Sequence, residues 1–158
     1  MNMQPDTTES HTLTMTRDFD APRELVFRAF MDPDQLAAWF GPEGVDSPRD
    51  RIVIEPRVGG AWNVVMTWDE GGEAKESPVN ATISVYEPPV LLVAGEMAHP
   101  EQGIPLQLQM RLEFEDLGGG RTRLHLTQGP FDSTEWVEMT REGWGSSFIK
   151  LDKLLANT

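Results

Sequence analysis

The sequence contains no cysteine in its 158 residues. That absence excludes disulfides, thiolate nucleophiles, cysteine zinc sites and iron–sulfur clusters, and it suits a reducing cytoplasm, the location expected here. Basic residues are scarce as well: 13 Lys plus Arg stand against 26 Asp plus Glu, leaving a net charge of −13. Nucleic acid and anionic membrane surfaces are held by clustered cations, so neither is an expected partner. Every apolar run falls well short of a membrane span, and no membrane insertion is expected. Met1–Ser10 lacks the basic start and apolar core of a signal peptide and reads as a flexible segment. His11, His99 and His125 are too widely spaced for a local metal-ligand pattern. No metal and no cofactor is expected.

What remains is enough for a folded domain. Leu, Ile, Val and Phe number 37, above the level typical of disordered chains. A chain of this length buries roughly 68–70% of its unfolded surface, so no cross-link is needed to hold it. There is no internal repeat, and residues 11–158 read as a single domain.

Periodicity supplies the order of elements. His11–Phe19 alternates as a strand, with Leu13, Met15 and Arg17 on one face. Pro22 then opens a short helix with Leu25, Val26, Ala29 and Phe30 on its apolar side, and Asp32-Pro33 opens a second that Gly41 closes. Strands are expected at Arg51–Glu55, Ala61–Trp68, Val79–Tyr86 and Val90–Met97, with Asp69-Glu70-Gly71-Gly72 as a hairpin turn. In Ile104–Phe114 every even position is apolar, while Gln107, Gln109, Arg111 and Glu113 are polar, the pattern of a sheet with one wet face. Arg121–Gln128 returns with Leu124 and Leu126 inward.

Asp132–Ala156 reads as one long helix, with Asp132 and Glu135 spaced as a capping box. Its stripe holds Trp136, Val137, Thr140, Trp144, Ser147, Phe148, Leu151, Leu154 and Leu155. An antiparallel sheet with one apolar face and a helix with one apolar stripe are expected to bury each other.

Several stretches are then familiar in order: Phe19-Asp20-Ala21-Pro22 with Val26-Phe27, and Asp32-Pro33 through Trp39-Phe40-Gly41-Pro42. Arg57-Val58-Gly59-Gly60-Ala61-Trp62, Tyr86-Glu87-Pro88-Pro89, Leu112-Glu113-Phe114-Glu115-Asp116 and Gly143-Trp144 with Phe148-Ile149-Lys150-Leu151 complete the set. The chain resembles the START-like (SRPBCC) superfamily, and within it the homologues of the heat-shock-protein-90 ATPase activator. The resemblance spans residues 11 to 156. It implies an α+β helix-grip fold: a curved antiparallel β-sheet wrapped around a long C-terminal α-helix, with two short helices after the first strand. It also implies an apolar cavity between sheet and helix.

The candidate ligand-binding residues follow from periodicity and that resemblance together. They are Thr140, Trp144 and Phe148 on the helix, with Trp62, Val64, Met66, Leu108 and Met110 on the sheet. Trp39 and Phe40 are expected toward the mouth. Gly143 and Gly145 flank Trp144, and two helix-weakening glycines there suggest close approach, a bend, or room for a ligand. Thr140 and Ser147 each offer a hydroxyl inward, with bonding back to the helix carbonyl as the plainer use. Arg141, at the stripe's edge, fits a surface ion pair, and Arg57 fits a structural place in its turn.

Catalytic groups do not converge. Ser147 and Lys150 match a Ser-x-x-Lys pattern without its companion motifs, His125 alternates onto the polar face, and His99 reads as a loop residue. The leading expectation is a domain binding a hydrophobic or amphipathic small molecule, lipid, aromatic or polyketide-like, as monomer or homodimer. An enzyme acting on such a ligand, cyclase- or hydrolase-like, is the alternative. A co-chaperone of a heat-shock ATPase ranks last, because only about ten residues precede the fold.

Overall fold

The computed structural model describes residues 11–96 and 108–158. Met1–Ser10, Met97, His99 and the first part of the strand expected at Ile104–Phe114 lie outside the described residues. Within them, strands β1 (Leu13–Phe19), β2 (Val53–Ile54), β3 (Ala61–Glu70), β4 (Glu73–Glu87), β5 (Leu91–Glu96), β6 (Leu108–Gly118) and β7 (Arg121–Gly129) form one sheet. Its order is β1-β7-β6-β5-β4-β3-β2, and every pairing is antiparallel. The helices are α1 (Arg23–Met31), α2 (Pro33–Trp39) and α3 (Thr134–Ala156). This is the expected helix-grip architecture.

The topology explains the two short helices. Strands β1 and β2 lie at opposite edges of the sheet, so the chain between them has to cross one face, and α1 and α2 make that crossing. The Asp32 side chain caps α2 by accepting from the Asp34 backbone N–H at 2.9 Å, with Pro33 in the first turn. Helix ends leave carbonyls without intrahelical partners, and two buried tryptophans use those of α1. The Trp39 indole N–H donates to the Ala29 carbonyl and the Trp62 indole N–H to the Phe30 carbonyl, each at 2.9 Å. Burying either indole without such a partner would cost a hydrogen bond in a dry site.

Alternation fixes which sheet face is buried. In β6, Leu108, Met110, Leu112 and Phe114 are buried while Gln109 and Arg111 are exposed. The outward face carries ion pairs instead, such as Arg111 with Glu113 at 3.2 Å. Helix α3 lays Val137, Trp144, Phe148, Leu151 and Leu155 against the inward face. Phe148 meets Phe19 edge-on at 5.4 Å between centroids. Such aromatic pairs add about 0.5–1.5 kcal/mol beyond the area they bury.

Three local expectations are corrected. The cap of α3 is Ser133, whose hydroxyl oxygen accepts from the Trp136 backbone N–H at 3.3 Å. Asp132 is an exposed residue one place too early, and no Asp132–Glu135 box forms. Arg51–Glu55 is strand only at Val53–Ile54, because Arg49–Arg51 makes a 3-10 turn after Pro48. The β3–β4 hairpin is longer than expected: β4 begins at Glu73, and Pro78 sits inside it opposite Val65.

Candidate functional site

Helix α3 does not close completely onto the sheet. A cavity of about 210 Å³ lies between them, opening to solvent. Its floor is the sheet residues Trp62, Met66, Val79, Ala81, Ala94, Glu96, Leu108, Met110 and Gln128. Its roof is one face of α3 at Thr140, Gly143, Trp144 and Ser147, and Phe40, Gly41 and Pro42 form a third side.

Strand register explains how the floor is assembled. Pairing places Trp62 opposite Ala81, Ala81 opposite Glu96, and Glu96 opposite Leu108, one row across β3, β4, β5 and β6. The next row runs through Ile83, Ala94, Met110 and Gln128. Alanine at two of these positions leaves the depth that larger side chains would fill, since cavities persist where side chains are too short to meet.

Of the expected site residues, the structure brings together Phe40, Trp62, Met66, Leu108, Met110, Thr140 and Trp144 in the cavity wall. Trp39, Val64 and Phe148 are not in it. All three are fully buried in the core behind the cavity. Trp39 is drawn away from the mouth by its bond to the Ala29 carbonyl and by edge-on contact with Phe30 at 4.8 Å. Phe148, one turn beyond Trp144, stacks on it and meets Phe19 edge-on.

The helix hydroxyls take the plainer course. Thr140 donates to the Trp136 carbonyl at 2.8 Å and Ser147 to the Gly143 carbonyl at 2.9 Å. Both residues border the cavity, and with its proton engaged each hydroxyl keeps only acceptor capacity. Trp144 donates its indole N–H to the Gln128 side-chain oxygen at 2.8 Å. Gly143 and Gly145 are not points of close approach, since a methyl group on either would meet nothing within 4 Å. Only Gly143 borders the cavity.

Loop residues 41–46 are tied to α3. The Glu43 backbone N–H donates to the Ser146 hydroxyl at 2.8 Å, and the Lys150 ammonium donates to the Val45 carbonyl at 3.3 Å. Burial pushes the Lys150 pKa down. Lys150 and Ser147 thus serve different bonds, and the Ser-x-x-Lys spacing assembles no reacting pair. Arg141 pairs with Glu138 at 3.3 Å and donates to the Thr14 carbonyl.

Alternation along β5 also marks a wall residue outside the expected set. Leu92, Ala94 and Glu96 share a face of β5, which puts Glu96 inward, only 7% exposed. Among the described residues, Glu96 is the one ionisable group in the cavity wall. No group of three or more His, Asp or Glu among the described residues is placed to hold a metal ion, and no helix there is long and apolar enough to cross a membrane.

A seven-stranded sheet gripping a C-terminal helix, with two short helices inserted after β1, defines the START-like class. Residues 20–156 match the model of one family within it, described as Activator of Hsp90 ATPase homolog 1-like protein. The chain belongs to that family. It is similar to the AHSA1 protein of Silicibacter pomeroyi, with 27% identity over 92% of this chain and 97% of that one, TM-score 0.72. A Chromobacterium violaceum protein shares the fold at TM-score 0.77 and 24% identity, over 92% and 96% of the two chains. A Mycobacterium smegmatis protein does so at TM-score 0.73 and 22% identity, over 100% and 98%. No curated protein sequence matches the chain.

Proposed function

We propose that this protein binds a small hydrophobic or amphipathic molecule in the cavity between α3 and the sheet. The observation that carries the reading is the composition of the wall. Trp62, Met66, Leu108, Met110, Phe40 and Trp144 surround a space interrupted by few polar groups, which is how small-molecule sites are built. Met66 and Met110 suit a loosely matched ligand, because unbranched thioether side chains adapt to irregular shapes. A volume of about 210 Å³ lies below the ~300–1,000 Å³ of drug-sized sites. It favours a compact aromatic or short-chain molecule over a whole phospholipid.

The test is titration with neutral phenylnaphthylamine, whose emission rises in apolar surroundings, followed by competition with unlabelled compounds. Saturable binding that is weakened by Trp144→Phe, Met110→Ala and Gly143→Leu supports the reading. A probe that stays dark, or binding indifferent to all three substitutions, overturns it. The family's description favours a second reading, a co-chaperone acting on a heat-shock ATPase. Stimulation of such an ATPase by the purified protein is its own measurement.

A further inference from the structure

The polar groups of the cavity are unequal in kind. Resting on the binding reading above, we infer that the cavity selects ligands bearing a hydrogen-bond-donating or cationic group, such as an amine or alcohol, and rejects carboxylates. Glu96 occupies an inward register position between Ala81 and Leu108, in a row whose other members are apolar. An acid in such a row faces the cavity instead of water. A carboxylate has about four lone-pair directions, enough to accept from a ligand alongside other partners.

Two of the three other polar side chains in the wall lean the same way, and Gln128 is the exception. Thr140 and Ser147 have committed their protons to helix carbonyls, so each hydroxyl in the wall has acceptor capacity alone to offer a ligand. The Gln128 oxygen is engaged by Trp144, which leaves the Gln128 amide N–H groups as the wall's side-chain donors. Among the described residues no lysine or arginine lines the cavity. A second carboxylate brought beside Glu96 would either stand like charge against like or have to share a proton with it. An ammonium or hydroxyl placed there meets an acceptor in a site of low dielectric, where the attraction is strongest. The apolar wall takes the hydrocarbon part of either ligand equally, so the discrimination falls to Glu96.

The experiment compares three probes with one skeleton, phenylbutylamine, phenylbutanol and phenylbutyrate, by calorimetric titration at neutral pH. The amine and the alcohol are expected to bind at least about tenfold tighter than the acid, since like-charge juxtaposition is costly in a desolvated site. Glu96→Gln is expected to narrow the gap between amine and acid, with phenylbutyrate gaining affinity. The wild-type ranking stands as a test even if that variant folds poorly. If phenylbutyrate binds as tightly as the amine, or Glu96→Gln leaves the gap between amine and acid unchanged, the selectivity inference fails while the binding reading survives. If none of the three binds and phenylnaphthylamine also fails, the binding reading falls, and the inference with it.

Discussion

The indole N–H of Trp144 donates to the side-chain oxygen of Gln128 at 2.8 Å, the one side-chain bond among the described residues that joins roof and floor of the cavity. Both residues border the space, and Trp144 is buried. The bond ties α3 to β7 across the cavity. Gln128→Leu would keep the volume and delete the acceptor. A buried donor left without a partner costs about 1–3 kcal/mol, so urea unfolding of Gln128→Leu should show a loss in that range. Equal stability of Gln128→Leu and wild type would mean that water or another group takes the indole proton.

The acid side of the stability profile should depend on Asp18. Arg123 grips both its oxygens, at 2.7 and 3.1 Å, and Arg121 lies 3.8 Å away. The Arg123 hydrogen bond, foremost, holds the Asp18 pKa below the ordinary carboxylate value. A depressed acid favours the folded state above its unfolded pKa of about 3.9, and the contribution disappears as pH falls through the lower folded value. Asp18→Asn should therefore lower the urea midpoint at pH 7, with the difference from wild type shrinking below the carboxylate range. The shift should be small because the pair is partly exposed and screened. A difference that stays constant from pH 7 to acid would point to a cause other than charge.

The outline of the fold was legible because alternation and helical spacing each recur over long stretches. Leu108 to Phe114 in β6 and Val137 to Leu155 in α3 could hardly be misassigned. The cap of α3 was not, because Asp132 and Ser133 are adjacent residues that both make good caps, and only backbone conformation chooses between them. The cavity wall was legible in part. Periodicity assigns a face, which found Trp62, Met66, Met110 and Trp144, but it does not assign depth. Trp39 and Phe148 have the same pattern as their wall neighbours and end in the core, because the carbonyls of α1 and the ring of Phe19 capture them. Glu96 is legible from alternation with Leu92 and Ala94, but an acid in an inward row runs against the usual burial of side chains, so composition alone does not mark it.

Gly60 should be among the least replaceable residues. It lies in the turn between β2 and β3, where a methyl group would collide with the backbone carbonyl oxygens of Glu55 and Arg57. That turn is closed by the Arg57 carbonyl accepting from the Gly60 N–H at 2.9 Å, and the Glu55 side chain accepts from the Ala61 N–H at 2.9 Å. The obstacle is main chain, which cannot rotate aside. Gly60→Ala should cost at least about 1–3 kcal/mol, as overpacking does, and should lower the thermal midpoint clearly. An unchanged midpoint would show that the turn shifts freely and that its fixed shape is unimportant to β3.

The glycines flanking Trp144 separate stability from occupancy. Neither has a neighbour within 4 Å of the position a methyl group would take, and both stand inside α3. Glycine in a helix interior is worse than alanine by about 0.8–1.0 kcal/mol. Gly143→Ala and Gly145→Ala should therefore each stabilise the protein by an amount of that order. The two sites differ in what they face, since Gly143 borders the cavity and Gly145 does not. A larger side chain at Gly143, as in Gly143→Leu, should then enter the space and displace phenylnaphthylamine while leaving the thermal midpoint near that of wild type. Gly145→Leu should leave probe affinity unchanged. Loss of probe binding in both leucine variants together with a lowered midpoint would mean that the helix itself had moved, and the cavity would not be the cause. Loss confined to Gly143→Leu would assign the binding to the space beneath that residue.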